Sequence, residues 1–354
     1  MESSASPLRI AVIGAGLIGA RHIELVAKNP QAQLVAVVEH DQRVSHPTRM
    51  AGVPWYRTLD ELLASDRPDA AVIATPSELH AQHALACINA NVAVLVEKPI
   101  ATTVADAARL VEAAEATDVP LLVGHHRRHS SFLLAALEAV GSGVLGDLVA
   151  VSAATLFVKP DDYFDAGPWR RQPGGGPILI NLIHDVDALR MLAGDVVAVQ
   201  AMASDRVRRF QVEDTAAVTL RFANGVLGSM LVSDAAASTL SWELTAGEDP
   251  AFPRHDGRDC YVIAGTRGSL GIPSMRLTTY DGEPSWRKPT RTTVLPVPRA
   301  DPLAIQLAVF CAVARGDAAP HVSGRDALET LRVTLAIQQA SRTGRQVACG
   351  PEAP

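Results

Sequence analysis

A glycine fingerprint directly behind a short apolar run is the feature that most limits how this chain can fold. Residues 8–13 form the run, and Gly-Ala-Gly-Leu-Ile-Gly follows at once over 14–19. Beyond it, Ile23, Val26 and Ala27 recur at helical spacing. The sequence therefore predicts a strand, a tight turn and a helix in succession, which is the context in which a G-x-G-x-x-G pattern binds a dinucleotide.

Each position of the fingerprint has a physical reason. Gly14 permits the tight turn, Gly16 lets the backbone approach a pyrophosphate, and Gly19 allows helix and strand to pack closely. The helix that begins near Leu17 and Ile18 offers free N–H groups and the positive end of its dipole to phosphate. These five positions are therefore expected to contact the cofactor.

The acidic residue behind the next apolar run bears on cofactor choice. Residues 34–38 predict a second buried strand, and Glu39 follows it. A carboxylate there accepts hydrogen bonds from ribose hydroxyls and repels a 2′-phosphate, although it lies somewhat beyond the usual ~20 residues from the glycines. NAD is expected in preference to NADP, while a cation at His40 or Arg43 leaves phosphate binding open as an alternative.

Composition bounds the class of protein. The 354 residues suffice for two domains, and a formal charge of −6 provides no basic footprint for nucleic acid. No apolar run approaches the ~18 residues of a membrane span, and the N-terminus lacks the pattern of a signal peptide. The four cysteines show no paired spacing. These features predict a soluble, cytoplasmic protein without nucleic-acid, membrane or metal partners.

Alternating patterns divide the chain into two parts. Periodicity predicts strands at 70–74, 92–96 and 120–124, with helices from Ser77 to about Ala90 and over 104–116. Strand patterns then dominate, at 148–157, 196–204, 215–222, 226–233, 241–246 and 260–265. Asn224-Gly225 predicts a hairpin turn between two of these strands. Two helices, over 302–315 and 324–342, are predicted at the end of the chain. The prediction is an α/β Rossmann domain over 1–124 and an α+β domain with a large, mainly antiparallel open sheet over 125–354.

A charged pair ends the strand predicted over 92–96. Glu97 and Lys98 follow the apolar run, and Pro99 then sets the chain direction. Ligands of an open parallel sheet bind beyond the carboxyl ends of its strands, so Lys98 is positioned to orient a substrate hydroxyl or to transfer a proton. A salt bridge at the strand end is the alternative interpretation.

A glycine loop over 174–176 precedes a predicted apolar helix over 177–192. His184 lies in the middle of that helix, with Asn181 three residues before it and Asp187 three residues after it, so the three polar residues share one face. A histidine in such a helix is more often structural. Lys98 and a nicotinamide site in the same chain favour a catalytic role instead.

Taken together, these motifs resemble the Gfo/Idh/MocA family, which includes glucose–fructose oxidoreductase and myo-inositol dehydrogenase. The resemblance spans nearly the whole chain in order. It rests on the fingerprint over 14–19, Ala-Thr-Pro-Ser over 74–77 with His80, Glu-Lys-Pro over 97–99, Gly124 with Arg127 and Arg128, the glycine loop with His184 and Asp187, and Gly-Thr-Arg-Gly-Ser-Leu over 265–270.

The resemblance implies an NAD(P)-dependent oxidoreductase that acts on a CH–OH group of a sugar, cyclitol or sugar acid. Lys98 would hold the substrate oxygen, and His184 would accept its proton with an imidazole pKa ordinarily near ~6.5. The cofactor contacts implied beyond the fingerprint and Glu39 are Thr75, Pro76, His80, Glu97 and Lys98. The substrate contacts implied are Asn181, Arg127, Arg128, Trp169 and Asp185.

A basic segment over 125–129 contains three histidines and two arginines. The arginines repel a metal cation, so a metal site is disfavoured, and a carboxylate on the substrate suits them better. Trp169, with the adjacent Arg170 and Arg171, also favours a substrate that has a carboxylate. Contacts with cofactor phosphates, ion pairs with acids between the domains, or exposure to solvent remain the alternatives for these arginines.

One position departs from the family pattern. Many relatives carry Asp four residues before the histidine, where this chain has Ile180. Asn181 can supply a hydrogen bond from the adjoining position, but not the charge. The resemblance also leaves two alternative functions open: a dihydrodiol dehydrogenase, which some relatives are, and a non-catalytic NAD-binding regulator, which the missing Asp favours. Because one face of the second sheet would otherwise be exposed, a homodimer or homotetramer is expected.

Overall fold

The computed structural model describes residues 6–41 and 52–350. It divides the chain into two compact units, one formed by residues 1–129 with 302–331 and the other by 130–301 with 332–354. Each unit has its own sheet and its own apolar core. Within the described ranges, no helix combines the length and the apolarity that a membrane crossing requires. Arg43, the alternative phosphate contact, lies outside these ranges.

Parallel strands build the sheet of the first unit. Its strands are β1 (Leu8–Ile13), β2 (Ala32–Val38), β3 (Trp55–Tyr56), β4 (Ala70–Ile73), β5 (Ala93–Glu97) and β6 (Leu121–Gly124). They lie in the order β3-β2-β1-β4-β5-β6, and every neighbouring pair is parallel. The Rossmann-type sheet is therefore confirmed. The edge strand β3 was not predicted, because two residues show no periodicity.

Antiparallel pairs dominate the sheet of the second unit. Its strands are β7 (Leu148–Leu156), β8 (Val196–Ser204), β9 (Thr215–Phe222), β10 (Leu227–Ser233), β11 (Tyr261–Gly265), β12 (Gly268–Ile272), β13 (Arg276–Tyr280), β14 (Thr290–Val294) and β15 (Val347–Ala348). Their order is β14-β13-β12-β11-β7-β10-β9-β8-β15. The β7–β10 pair is parallel, whereas the predicted β9–β10 hairpin is antiparallel and turns at Gly225 with a φ of +89°. The mainly antiparallel sheet is confirmed.

The predicted helices are present with three differences. The helices of the structure are α1 (Leu17–Lys28), α2 (Leu59–Ser65), α3 (His80–Asn89), α4 (Val104–Thr117), α5 (Ser131–Gly141), α6 (Asp161–Asp165), α7 (Ile183–Ala193), α8 (Trp242–Thr245), α9 (Pro302–Ala314) and α10 (Gly324–Thr343). Of these, α2, α5 and α6 were not predicted.

The first difference is that residues 241–246, predicted as a strand, form helix α8. The Ser241 hydroxyl caps this helix by accepting a hydrogen bond from Leu244 N. The second is that Ser77 is not a helix cap, because Ser77–Leu79 form a 3₁₀ turn before α3. The third is that a π-helical turn over Ile178–Leu182 precedes α7.

Helix α9 belongs to the first unit, although the sequence analysis assigned every residue after 124 to the second domain. Leu307, Phe310 and Cys311 of α9 join the core of strands β1, β4 and β5. Apolar residues surround most of α9, so its sequence indicates a buried helix without indicating which core buries it.

Candidate active site

The turn between β1 and α1 is shaped by three glycines. Gly14 has a φ of +95°, and a Cβ added there would lie 2.6 Å from the carbonyl oxygen of Ala74. A Cβ at Gly19 would lie 2.0 Å from the carbonyl oxygen of Gly14. A Cβ at Gly16 would meet no heavy atom within 4 Å, so the space in front of this residue is open.

The N-terminus of α1 fits a diphosphate. Gly16 is the N-cap residue, so no side chain caps the helix, and its first turn contains no acidic residue. The backbone N–H groups of that turn and the helix dipole favour an anion. Leu17, the first residue of the helix, is 84% exposed, so α1 begins at the surface of the first unit.

Glu39 is brought to the same turn by the end of β2. Its Oε2 accepts a hydrogen bond from Ala15 N at 2.8 Å, and its Oε1 accepts one from Asp41 N at 3.0 Å. These two bonds anchor a carboxylate beside the open face of Gly16. The N–H donors at the start of α1 and the carboxylate acceptor of Glu39 fit a dinucleotide whose ribose lies next to Glu39.

His80 joins the ends of two neighbouring strands. Its Nδ1 lies 2.7 Å from the carbonyl oxygen of Pro99, and its Nε2 lies 2.8 Å from that of Thr75. Burial lowers the pKa of His80, and the two carbonyl contacts oppose that shift. The ring therefore ties the segment after β4 to the segment after β5. Pro76 directly follows Thr75, whose Oγ1 lies 3.2 Å from His83 Nδ1.

A buried carboxylate supports the strand end that carries Lys98. Glu97 Oε1 lies 2.7 Å from His22 Nε2, and Glu97 Oε2 lies 3.2 Å from the backbone N of Lys98. A Cβ on Gly124 would come within 3.1 Å of this carboxylate, so glycine makes room for it. Burial alone would raise the pKa of Glu97, but His22, then Lys98 and His126, lower it to about 2.

His22 was not singled out by the sequence analysis. It lies three residues after Gly19 on the side of α1 that faces the sheet and is fully buried. That position in a helix is the sequence signal that would have identified it. Lys98 itself is half-buried, and the Lys98–Pro99 peptide is cis.

In the second unit, the helix that carries His184 begins with the π-helical turn over Ile178–Leu182. Glu213 Oε1 accepts a hydrogen bond from Ile178 N at 3.0 Å. A Cβ on Gly176 would lie 2.3 Å from that oxygen, which explains the glycine there. Burial raises the pKa of Glu213, and the bond from Ile178 opposes the shift. Such π-turns are frequent at functional sites.

Asn181 and His184 lie on successive turns of this helix. Asn181 is half-buried, and its Oδ1 accepts a hydrogen bond from Lys159 Nζ at 2.6 Å. His184 is 7% exposed. Lys159 was also missed by the sequence analysis, because it contacts Asn181 from a segment 22 residues away.

Other predicted substrate contacts are engaged within the fold. Asp185 is completely buried, and its carboxylate oxygens accept hydrogen bonds from Thr155 Oγ1 at 2.8 Å and Tyr261 Oη at 2.5 Å. These bonds fasten α7 to strands β7 and β11, which argues against a substrate contact at Asp185. Asp187 is 1% exposed, so the predicted polar strip is largely buried.

The predicted arginine contacts are also withdrawn from solvent. Arg127 is 1% exposed, and Arg128 Nη2 forms an ion pair with Asp326 at 2.7 Å. This ion pair lies within the first unit and is not the ion pair between domains that was the alternative. Trp169 is 44% exposed, with the Arg170 guanidinium 5.4 Å from its ring centroid. Within residues 6–41 and 52–350, no three His, Cys, Asp or Glu side chains are arranged to hold a metal ion.

Comparisons with known proteins cover most of the chain. Residues 8–125 match the model described as "Oxidoreductase family, NAD-binding Rossmann fold", and residues 133–271 match the GFO/IDH/MocA C-terminal domain. The 1,5-anhydro-D-fructose reductase of Ensifer adhaerens is 28% identical over 290 residues, which cover 81% of this chain and 82% of the reductase. The inositol 2-dehydrogenase of Rhizobium meliloti is 26% identical over 348 residues, which cover 96% of this chain and 99% of that enzyme.

A solved structure shares both parts of the fold. The WlbA dehydrogenase of Bordetella pertussis, in complex with NADH and UDP-GlcNAcA, matches with a TM-score of 0.79 at 26% identity. The match covers 98% of this chain and 100% of the WlbA chain.

Proposed function

Because the chain belongs to the GFO/IDH/MocA family of NAD-binding oxidoreductases, we propose that it is an NAD-dependent dehydrogenase of a sugar, cyclitol or sugar acid. The reacting group is a secondary alcohol or a hemiacetal carbon. The proposal rests on the geometry of the turn between β1 and α1. The uncapped N-terminus of α1, the open face of Gly16 and the anchored Glu39 carboxylate together suit a dinucleotide.

Glu39 supports a preference for NAD. Its carboxylate is held beside the turn by Ala15 N, where it can accept hydrogen bonds from the ribose hydroxyls and repel a 2′-phosphate. The main-chain N–H groups at the start of α1 would hold the diphosphate. When bound, the nicotinamide accepts or returns the hydride.

Lys98 and His184 are the residues to which we assign the proton chemistry. The Lys98 ammonium orients the substrate oxygen and stabilises the negative charge that develops on it. The His184 imidazole accepts the hydroxyl proton in oxidation and returns it in reduction. The two curated relatives are named for a sugar derivative and for inositol, which supports a polyhydroxylated substrate.

Ile180 favours a second candidate. This half-buried apolar residue occupies the position at which the family pattern has Asp, and an apolar side chain contacts a hydrocarbon ring better than a polyol. A dihydrodiol dehydrogenase would use the same Lys98 and His184. A non-catalytic NAD-binding regulator is the outcome if neither substrate class reacts.

A substrate screen tests these functions directly. Purified protein is incubated with NAD or NADP, separately, and with cyclitols, aldoses, sugar acids or cyclic dihydrodiols, and the formation of reduced nicotinamide is followed. Turnover of a polyol, sugar or sugar acid with NAD supports the proposal, and turnover of dihydrodiols alone supports the second candidate. NAD binding without turnover of any class argues for the regulator.

Two variants test the assigned residues. Lys98→Ala and His184→Ala should each lower turnover at least tenfold, because each removes a group that acts on the reacting oxygen. Binding of NAD, measured by calorimetry, should change little. The exposed Lys288 and His255 provide matched controls, and their alanine variants should retain full turnover. Near-normal turnover in Lys98→Ala or His184→Ala would contradict the assignment.

A further inference from the structure

Lysine is rare in this chain, and its placement is uneven. The chain has four lysines at positions 28, 98, 159 and 288, and arginine supplies its other cationic side chains. Lys28 and Lys288 are exposed, Lys98 is half-buried, and Lys159 is buried. Burying a charge costs free energy unless neighbouring groups compensate it, so the groups around the buried Lys159 bear on its role.

Lys159 lies directly beside the helix that carries His184. Its Nζ donates to Asn181 Oδ1 at 2.6 Å and lies 4.8 Å from the ring centroid of Tyr163 and 5.7 Å from that of Phe157. With a side chain only 10% exposed, the ammonium sits in a medium of low dielectric. Its attraction for an anion is therefore stronger than in water.

This contact fixes the direction of the Asn181 amide. An ammonium has donors and no acceptor, so the Asn181 atom that faces Lys159 must be the carbonyl oxygen. The two N–H donors of Asn181 then point away from Lys159. Asn181 is half-buried, and these donors offer an incoming ligand hydrogen bonds that only an acceptor can use.

Asp234, which is paired with Lys159, is shared with a second cation, Arg208. Asp234 Oδ2 lies 3.7 Å from Lys159 Nζ, but Asp234 Oδ1 accepts the closer hydrogen bond from Arg208 Nε at 2.8 Å. Arg208 lies 4.0 Å from the exposed Asp161. The Asp214 carboxylate accepts hydrogen bonds from the backbone N of Arg208, from Val207 N and from Thr215 Oγ1. Burial raises the pKa of Asp234, and the two cations oppose that shift.

We propose that Lys159 and Asn181 form a donor pair that binds the carboxylate of a sugar-acid substrate. A carboxylate at position 180 would instead favour a ligand hydroxyl as donor, and this chain has Ile180 there. The donor pair therefore selects an acid over the neutral sugar of the same stereochemistry. This inference rests on the proposed function, because it requires that the helical segment with Asn181 and His184 faces the substrate.

Matched pairs of sugars provide the test. D-Glucuronate is compared with D-glucose, and D-galacturonate with D-galactose, since both members of a pair share the hemiacetal carbon and differ only in the carboxylate. NADH formation is measured with the full-length protein and NAD. We expect kcat/KM for the acid to exceed that of its neutral partner at least tenfold in one pair or both. Preference for the neutral sugar in both pairs would overturn the inference.

Variants separate a binding role from a structural one. Lys159→Met should lower the acid-to-neutral ratio of kcat/KM at least tenfold, chiefly through KM for the acid. Lys159→Arg should restore most of that ratio, because it restores the cation. Asn181→Asp keeps the side-chain size but puts a repelling anion beside Lys159, so it should lower the ratio as well. The exposed-lysine variant Lys288→Met is the control and should leave the ratio unchanged.

A binding measurement distinguishes failure of this inference from failure of the dehydrogenase proposal. The fluorescence of NADH bound to the protein is titrated with each acid and with its neutral partner. Preferential binding of the acid, with no turnover of any class in the substrate screen, would support the donor pair and contradict the dehydrogenase. Turnover with an acid-to-neutral ratio that Lys159→Met does not change would contradict the donor pair alone. NADH binding with neither binding nor turnover of any acid would overturn the donor pair.

Discussion

The glycines between β1 and α1 differ in what a side chain would meet. At Gly19 a methyl group would collide with the carbonyl oxygen of Gly14, whereas at Gly16 it would project into open space. The backbone at Gly16 has a φ of −63°, which alanine adopts without strain. The fold therefore requires glycine at position 19, whereas the ligand that binds at the turn requires glycine at position 16.

Alanine at each position should separate folding from cofactor binding. Gly16→Ala should keep the thermal midpoint of the cofactor-free protein within a few degrees and weaken NAD binding at least tenfold. Gly19→Ala should lower stability by roughly 1–3 kcal/mol because the helix must move off the strand. Differential scanning fluorimetry and NAD titration check both. Equal NAD affinity in Gly16→Ala and in the unaltered protein would contradict the assigned role of the turn.

Two glutamates of the first unit share a pKa of about 2 for different reasons. Glu24 lies on the surface of α1 and is held by Lys28 and Arg21, while Glu97 is buried against His22. The folded-state pKa of Glu97 lies below its ordinary value of 4.5, so its ionised form stabilises the fold above about pH 4.5. This stabilisation is lost as pH falls from about 4.5 to 2.

Glu97→Gln should therefore cost on the order of 3 kcal/mol at pH 7 and flatten the acid limb of the stability curve. Glu24→Gln should cost under about 1 kcal/mol, because solvent screens its ion pairs. Urea unfolding at several pH values between 3 and 7 measures both effects. The interpretation of Glu97 fails if the two variants lose equal stability.

At the level of residues, spacing predicted the positions that lie next to a strand end and missed those held by distant contacts. The glycines, Glu39 and Lys98 follow directly from apolar runs. His22 pairs with a carboxylate 75 residues away, and Lys159 reaches Asn181 from a separate segment. Such pairs depend on how elements pack, and no local period reveals them.

Helix α9 shows how an element can be predicted while its place is missed. Its bounds agree closely with the predicted 302–315, yet it packs in the core of the first unit. For helix α8, in contrast, the type of element was predicted wrongly. Over 241–246 a single helical turn is too short for a 3.6-residue period to show, and alternating apolar residues imitate a strand.

Removing the largest contact of α9 should affect the first unit selectively. Phe310 is completely buried, so Phe310→Ala should destabilise by roughly 3–5 kcal/mol. Hydrogen exchange should show lost protection in β1, β4 and β5, with β9 and β10 unchanged. The neighbouring half-buried Val309 provides a control, and Val309→Ala should have a much smaller effect. Equal loss of protection in both sheets would contradict separate cores.

On the scale of the whole molecule, each sheet follows the rule for its type. Strands β1, β4, β5 and β6 of the first unit are buried on both faces, as is typical of parallel sheets, and strands β9 and β10 of the second sheet alternate buried and exposed residues. Apolar and polar residues alternate in the sequence of these strands, and this alternation predicted the antiparallel sheet. The parallel β7–β10 pair joins segments about 75 residues apart, so no turn signal could indicate it.

The outward face of the second sheet has exposed apolar side chains among its polar ones. Met202, Ala217 and Leu231 are paired across β8, β9 and β10 and therefore lie on one face. Met202 is 75% exposed and Leu231 is 40% exposed, and Val262 on β11 is 40% exposed. We infer that these exposed apolar side chains form an interface patch, in agreement with the expected homodimer or homotetramer.

Leu231→Arg should therefore reduce the molecular mass in solution, because a charge at the centre of an apolar interface is costly to bury. Light scattering coupled to size exclusion measures the mass across a range of concentrations. Trp286 is 88% exposed in the segment between β13 and β14, so Trp286→Arg changes the same charge outside the patch and should preserve the oligomer. A Leu231→Arg protein with unaltered mass would place the subunit contact elsewhere, and a monomeric unaltered protein would refute the interface.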